Sequence, residues 1–181
     1  MANVNAPFGF RPTMRNLSGG ASSVLAAHKL VGYGTALFIG DAVTHAASGT
    51  LPTPAVDAAI TPGTTPVFGV NMIYGAASKA TNHAVIVADG NAMFVVQGDG
   101  TGSTFLVGAS LSKNANIALT AGNTSTLISK HELSETSIAT TNTLDLKVRG
   151  LYLSPSNVLG QYAQVYVTFN NLVGANQEAG I

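Results

Sequence analysis

The sequence predicts an all-β protein: a single β-sandwich or barrel, jelly-roll-like, with an extended N-terminal arm and at most one or two short helical turns. Three observations carry that expectation. Apolar runs are short, roughly eight to ten in number, and clusters of Gly, Asn, Asp, Ser and Pro interrupt them roughly every 8–12 residues. No amphipathic stretch of helical period reaches about ten residues. No repeat of fixed period is visible, which argues against a solenoid or a propeller.

The chain divides into an arm at 1–23, a β-domain at 24–173 and a loose tail at 174–181. Pro7 and Pro12 each fix φ and remove a backbone donor, so the arm suits neither helix nor central strand. Phe8 and Phe10 flank Gly9 there, and Arg11 and Arg15 follow with no acid nearby. Two phenylalanines left in water forfeit roughly 1.5–3 kcal/mol of burial each. The arm is therefore expected to dock its rings on a partner or on its own domain.

Runs at 24–31, 36–39 and 42–45 read as strands, separated by Gly32-Tyr33-Gly34 and Gly40-Asp41. The loop at 48–66 holds Pro52, Pro54, Pro62 and Pro66, which argues against any central strand. Residues 67–74 resume β character around Gly69, a bulge or a close approach. Runs at 84–88 and 92–97 flank Asp89-Gly90-Asn91, a strong local hairpin signal. Residues 104–111 and 117–120 read as weaker strands beyond an open glycine loop at 98–103. Ser129 and Glu132 have the spacing of a capping box, predicting one helical turn. Residues 144–149 alternate strictly, predicting a strand with Leu144, Leu146 and Val148 inside and Asp145, Lys147 and Arg149 outside. A turn at 154–157 precedes the last strand at 162–169, which Asn170-Asn171 ends.

Composition narrows the function. Eight basic and eight acidic residues cancel and make up 9% of the 181 residues, so neither a nucleic-acid grip nor a polybasic membrane anchor is expected. No window approaches a membrane-spanning apolar run, and the start lacks the pattern of a secretory signal. Cysteine is absent, so thiolate chemistry and disulfides are too. Ala, Gly, Thr and Ser supply 79 residues, and such a weakly charged surface fits a protein packed against neighbours.

A search for chemistry yields no catalytic constellation. His28, His45, His83 and His131 are far apart with no ligand spacing, so no metal is expected. Asp41 and Asp89 sit in glycine turns, and Asp99 lies in a loop lacking the successive carboxylates of a calcium site. The glycine clusters lack the Lys-Ser/Thr ending of a phosphate loop, and no nucleophile elbow is present. No enzyme activity and no cofactor are expected.

The order of motifs along the chain resembles a family of small structural proteins of tailed bacteriophages. The similarity runs from Ala2-Asn3-Val4-Asn5-Ala6-Pro7-Phe8-Gly9-Phe10-Arg11-Pro12 through the 35–43 segment, Phe68-Gly69-Val70, Val87-Ala88-Asp89 and Phe94-Val95-Val96-Gln97. It continues in Ser134-Glu135-Thr136, the 144–150 segment, Asn157 with Gly160, and the 165–171 segment. The chain departs from the family in its Pro-rich loop at 48–66, and in Leu172 where the family often has His. The resemblance implies a capsid cement or decoration protein on the outer surface of the virion head. Its partner would be the major capsid protein, whose subunits it bridges. Uncharged strand edges suit a homo-oligomer, a homodimer first and a homotrimer second.

On that reading Phe8, Phe10, Arg11 and Arg15 are the arm's contacts with the capsid or a neighbour. Removing residues 2–15 should then leave a folded domain that no longer decorates shells. The alternative within the same virus is a tail or head-fibre component binding a host receptor or glycan, but no shaft or repeat signature is present. A sugar-binding sandwich would draw on Tyr33, Tyr74 or Phe105.

Overall fold

The computed structural model describes residues 3–13, 17, 23–29 (27–29 by backbone alone), 35–45, 56–57, 59–77, 79, 81–101, 106–173 and 180. The chain is all-β. Its strands are β1 (Arg11–Pro12), β2 (Val24–Lys29), β3 (Ala42–His45), β4 (Val56–Asp57), β5 (Gly69–Asn71) and β6 (Thr81–Val87). They continue with β7 (Phe94–Gln97), β8 (Asn114–Ala115), β9 (Ile117–Ala118), β10 (Glu132–Leu133), β11 (Leu146–Leu151) and β12 (Gln164–Phe169). Among the described residues, helix is limited to the 3-10 turns Gly108–Ser110 and Glu135–Ser137.

Two five-stranded antiparallel sheets form, with strand orders β1-β7-β12-β11-β8 and β2-β6-β5-β3-β4. The short pair β9-β10 stands beside them. Phe10, Phe94, Val165, Val167, Phe169, Leu146 and Val148 on the first sheet share one core with Ala42, Val70 and Ile86 on the second. The second sheet also buries its opposite face, through Leu37, Val43, Val56, Phe68 and Val85. Gly69 fits that crowding by close approach without a bulge. A Cβ there would collide with the Ile86 carbonyl oxygen and lie 2.6 Å from Val85 Cγ1.

The expected hairpin at 84–97 does not form. β6 lies between β2 and β5, and β7 lies between β1 and β12, so the Asp89-Gly90 turn carries the chain from one sheet to the other. Asp89 Oδ1 accepts from the N–H groups of Asn91 (2.9 Å) and Ala92 (2.7 Å), with Gly90 at φ +79°. That local chemistry is the same in a hairpin and a crossover. What decides is that all four residues of β7 are buried and both edges of β6 are occupied.

Other local expectations shift for similar reasons. Residues 36–39 make only the isolated bridges Leu37–Gly75 and Ile39–Ile128, because Asp41 Oδ2 takes the Phe38 N–H (2.7 Å) and closes a turn. The helical turn expected at Ser129 is absent. Ser129 Oγ accepts from His131 N (3.0 Å), and Glu132 and Leu133 pair with Ala118 and Ile117. In 104–111, Leu106 bridges Gly160 and 108–110 is a 3-10 turn; 104 and 105 lie outside the described residues.

The strand expected at 144–149 forms two residues later, as β11, and the charges of that stretch do not all point outward. Asp145 is fully buried and Lys147 is 8% exposed, while Arg149 is exposed. Asp145 accepts from Gly63 N (2.9 Å), Ile117 N (3.2 Å) and Asn171 Nδ2 (3.3 Å), tying three segments together. Of the proline-rich loop, the described part holds only the edge strand β4 and a turn at 61–65, with 48–55 and 58 outside the described residues. Of the tail, only residue 180 is described.

Candidate functional site

The site is built from the N-terminal segment upward. Asn3 clips onto the loop before β12: its Nδ2 donates to the carbonyls of Val158 (2.8 Å) and Gln161 (2.9 Å), and its Oδ1 accepts from Val158 N (3.1 Å). Ala6 N donates to Gln97 Oε1 (3.3 Å). Phe10 N donates to Gly40 O (2.9 Å), β1 pairs with β7, and Thr13 N donates to Met93 O (2.9 Å). Residues 3–13 are thus fastened along the domain at both ends and in the middle.

This attachment separates the two phenylalanines. In an extended chain, residues two apart share a face. Gly9 sits at φ +71°, where only glycine rests comfortably, and the rings part. Phe10 turns inward, 1% exposed, with its ring 5.0 Å from Phe169 and 6.5 Å from Phe94. It is a core residue of its own chain and is not free to touch a neighbour. Phe8 stays half-buried at the surface, and the exposed Arg11 guanidinium lies 4.3 Å over its ring. Arg15 lies outside the described residues.

Phe8 and Arg11 border a groove of about 150 Å³, with Pro12, Ile39, Met72 and Ile128 on its walls. Ile39 and Ile128 pair through a parallel bridge, and Ile39 N donates to Leu127 O (3.1 Å). Ile39, Leu127 and Ile128 are all at least 36% exposed. The result is an apolar shelf with one stacked cation, suited to covering by an apolar surface that also offers a carbonyl or a carboxylate.

In the turn that follows Ile39, Asp41 faces His131. His131 Nδ1 accepts from Ala42 N (3.2 Å), which leaves the ring proton on Nε2, 3.5 Å from Asp41 Oδ1. Burial pulls the His131 pKa below its ordinary 6.5, and the Asp41 charge offsets part of that. A cavity of about 190 Å³ adjoins the pair, lined by Thr35, Phe38, Leu119 and Gly122 among others. With Nδ1 engaged by backbone and Nε2 facing Asp41, no ring nitrogen is left to take a proton from a substrate. The pair positions the turn that presents Ile39.

His83 and His45 are held by contacts within the fold as well. His83 bonds Asn71 Oδ1 (2.7 Å) and Thr81 Oγ1 (2.6 Å), and His45 stacks on Phe68 at 4.1 Å. The His28 side chain lies outside the described residues. Among the described residues, no three His, Asp or Glu side chains converge as a metal site. Of the aromatic residues considered for sugar binding, Tyr74 packs on Phe38 at 5.5 Å, and Tyr33 and Phe105 lie outside the described residues.

Sequence reasoning missed Ile39, Leu127 and Ile128. They stand in unremarkable stretches, and only the bridge between 39 and 128 brings them to Phe8. No protein-family model matches this chain, and comparison with curated proteins and with solved structures finds no match.

Proposed function

We propose that this chain is a non-enzymatic virion structural protein that binds the outer surface of a bacteriophage capsid. It acts as a cement or decoration protein that bridges major capsid protein subunits. The observation that carries the proposal is the apolar shelf of Phe8, Ile39 and Ile128, capped by Arg11 on a segment already fastened to its own domain. A preorganised shelf loses little conformational freedom on docking. The order of family-like motifs and the sparse charge point the same way. Many weak contacts of this kind, repeated over a lattice, make a strong cage. The shell gains stability because the protein binds the assembled lattice and not its dissociated subunits.

Co-sedimentation with mature capsids that lack the protein tests this reading. Saturation at a fixed multiple of the capsomer number, with raised heat resistance of the shell, is expected. No binding, or a handful of copies at one vertex, would overturn it and favour a tail or head-fibre role in host attachment.

A further inference from the structure

Asp99, Glu132 and Glu135 stand on the two segments that are joined where the end of β7 meets β10. Gly98 bridges Leu133, and Asp99 N donates to Leu133 O (2.9 Å). Asp99 Oδ1 accepts from Glu135 N (3.2 Å) and Thr101 N (3.2 Å). Glu135 is fully buried and Glu132 is 9% exposed. No donor lies in hydrogen-bond geometry with either carboxylate oxygen of Glu135 or with Glu132 Oε1. The Glu135 carboxylate lies flat against the chain at Gly98, where a Cβ would collide with its Oε1.

Among the described residues, no cation pairs with any of the three acids. The charged groups that act on Glu135 are Asp99, from the end of β7, and Glu132, from β10; the N–H groups of Gly100 and Leu106 point toward it. His131, next in the chain to Glu132, faces Asp41 instead. Buried carboxylates with no paired cation favour the neutral acid, and the N–H groups of Gly100 and Leu106 offset part of that for Glu135.

We propose that Asp99, Glu132 and Glu135 form a proton-operated clasp, which fastens residues 128–137 to the end of β7 and loosens as the pH rises. The ligand of this site is the proton itself. Burial first, and the Asp99 charge second, push Glu132 and Glu135 from an ordinary 4.5 up to about 7. Between those values the folded chain holds protons that the unfolded chain has lost, so stability falls as pH rises through the window and levels off above it. The same segment carries Ile128 of the shelf and Ser129, which packs against Gly9. Opening the clasp therefore loosens one wall of the shelf. This inference stands on the clasp geometry and does not depend on the capsid reading.

Amide hydrogen exchange on the full chain tests it, comparing about pH 5 with about pH 8 after correction for intrinsic rates. Protection of 98–101 and 128–137 should fall at least about tenfold at the higher pH, the factor carried by one unit of pKa shift, while β11 and β12 hold. Glu135→Gln, a permanently uncharged stand-in, should keep that protection at the higher pH; Glu132→Gln serves if the first variant does not fold. Equal protection of the wild type at both values would overturn the proposal. So would a loss spread evenly over the molecule, or variants that open as the wild type does. Calcium restoring wild-type protection at the higher pH would overturn it too, making the acids a cation site.

Discussion

Phe10→Ala separates an arm that is merely attached from one that completes the core. The ring is 1% exposed and completes a three-ring cluster with Phe169 and Phe94, so its removal leaves a cavity against two other aromatic rings. Truncating a buried phenylalanine costs about 3–5 kcal/mol, against a total of roughly 5–15 kcal/mol for an ordinary domain. Phe8→Ala removes a half-buried ring whose cation contact is worth about 0.5–1 kcal/mol, so its total cost should stay near 1 kcal/mol. Equilibrium urea unfolding followed by far-ultraviolet circular dichroism suits a chain without tryptophan. The expected result is a much lower midpoint for Phe10→Ala, a small shift for Phe8→Ala, and an unchanged slope in both. On the same reasoning, deleting residues 2–15 should unfold or badly weaken the domain rather than leave it intact. A Phe10→Ala unfolding free energy within about 1 kcal/mol of wild type would refute the argument that this residue belongs to the core.

Gly69→Ala should destabilise by several kcal/mol in the same assay, because its methyl would meet backbone at Ile86 rather than a side chain that can yield; a neutral result would mean β5 and β6 are not in contact there. Asp145→Asn keeps one acceptor but turns an amide N–H₂ toward backbone donors, so a loss of about 1–3 kcal/mol is expected. Unaltered unfolding would remove Asp145 as the junction of three segments. With Glu132 and Glu135 both changed to Gln, two shifted groups remain: Asp145, raised by burial, which favours the fold as pH falls toward its ordinary 3.8, and His131, which opposes it from 6.5 downward. The lowered His131 pKa means the unfolded chain binds the proton more readily, so melting temperature should drop as pH falls below 6.5, and His131→Asn should flatten that drop. Capsid binding should change little between low and moderate salt, since the shelf offers one cation among apolar side chains; a steep loss of occupancy would point to a charged contact elsewhere.

The all-β class was legible because short apolar runs and frequent turn residues exclude long helices whatever the tertiary arrangement. The partition into sheets was not. The Asp89-Gly90 turn looks alike in a hairpin and a crossover, and the apolar runs at 84–88 and 92–96 do not say which sheet each one joins. Alternation misled at Asp145 and Lys147, both of which are buried; at Asp145 the segments of Gly63 and Ile117 cover the face that the pattern assigns to water. The candidate site was half legible. Phe8 and Arg11 stood out by type and spacing, but the division of labour between Phe8 and Phe10 hangs on the backbone angle at Gly9. Ile39 and Ile128 are 89 positions apart, and no local pattern announces a bridge at that separation.

The packing of Phe10 against Phe169 and Phe94 also sets a timetable for synthesis. A ribosome adding roughly 5–20 residues per second makes Phe169 about ten to thirty seconds after Phe10. Until then Phe10 lacks the Phe169 ring it packs on, and β7 has no β12 to lie beside. The nascent chain must therefore carry exposed rings and an open strand edge for the whole interval. Chaperone occupancy of the growing chain should rise with its length and end abruptly once β12 is released.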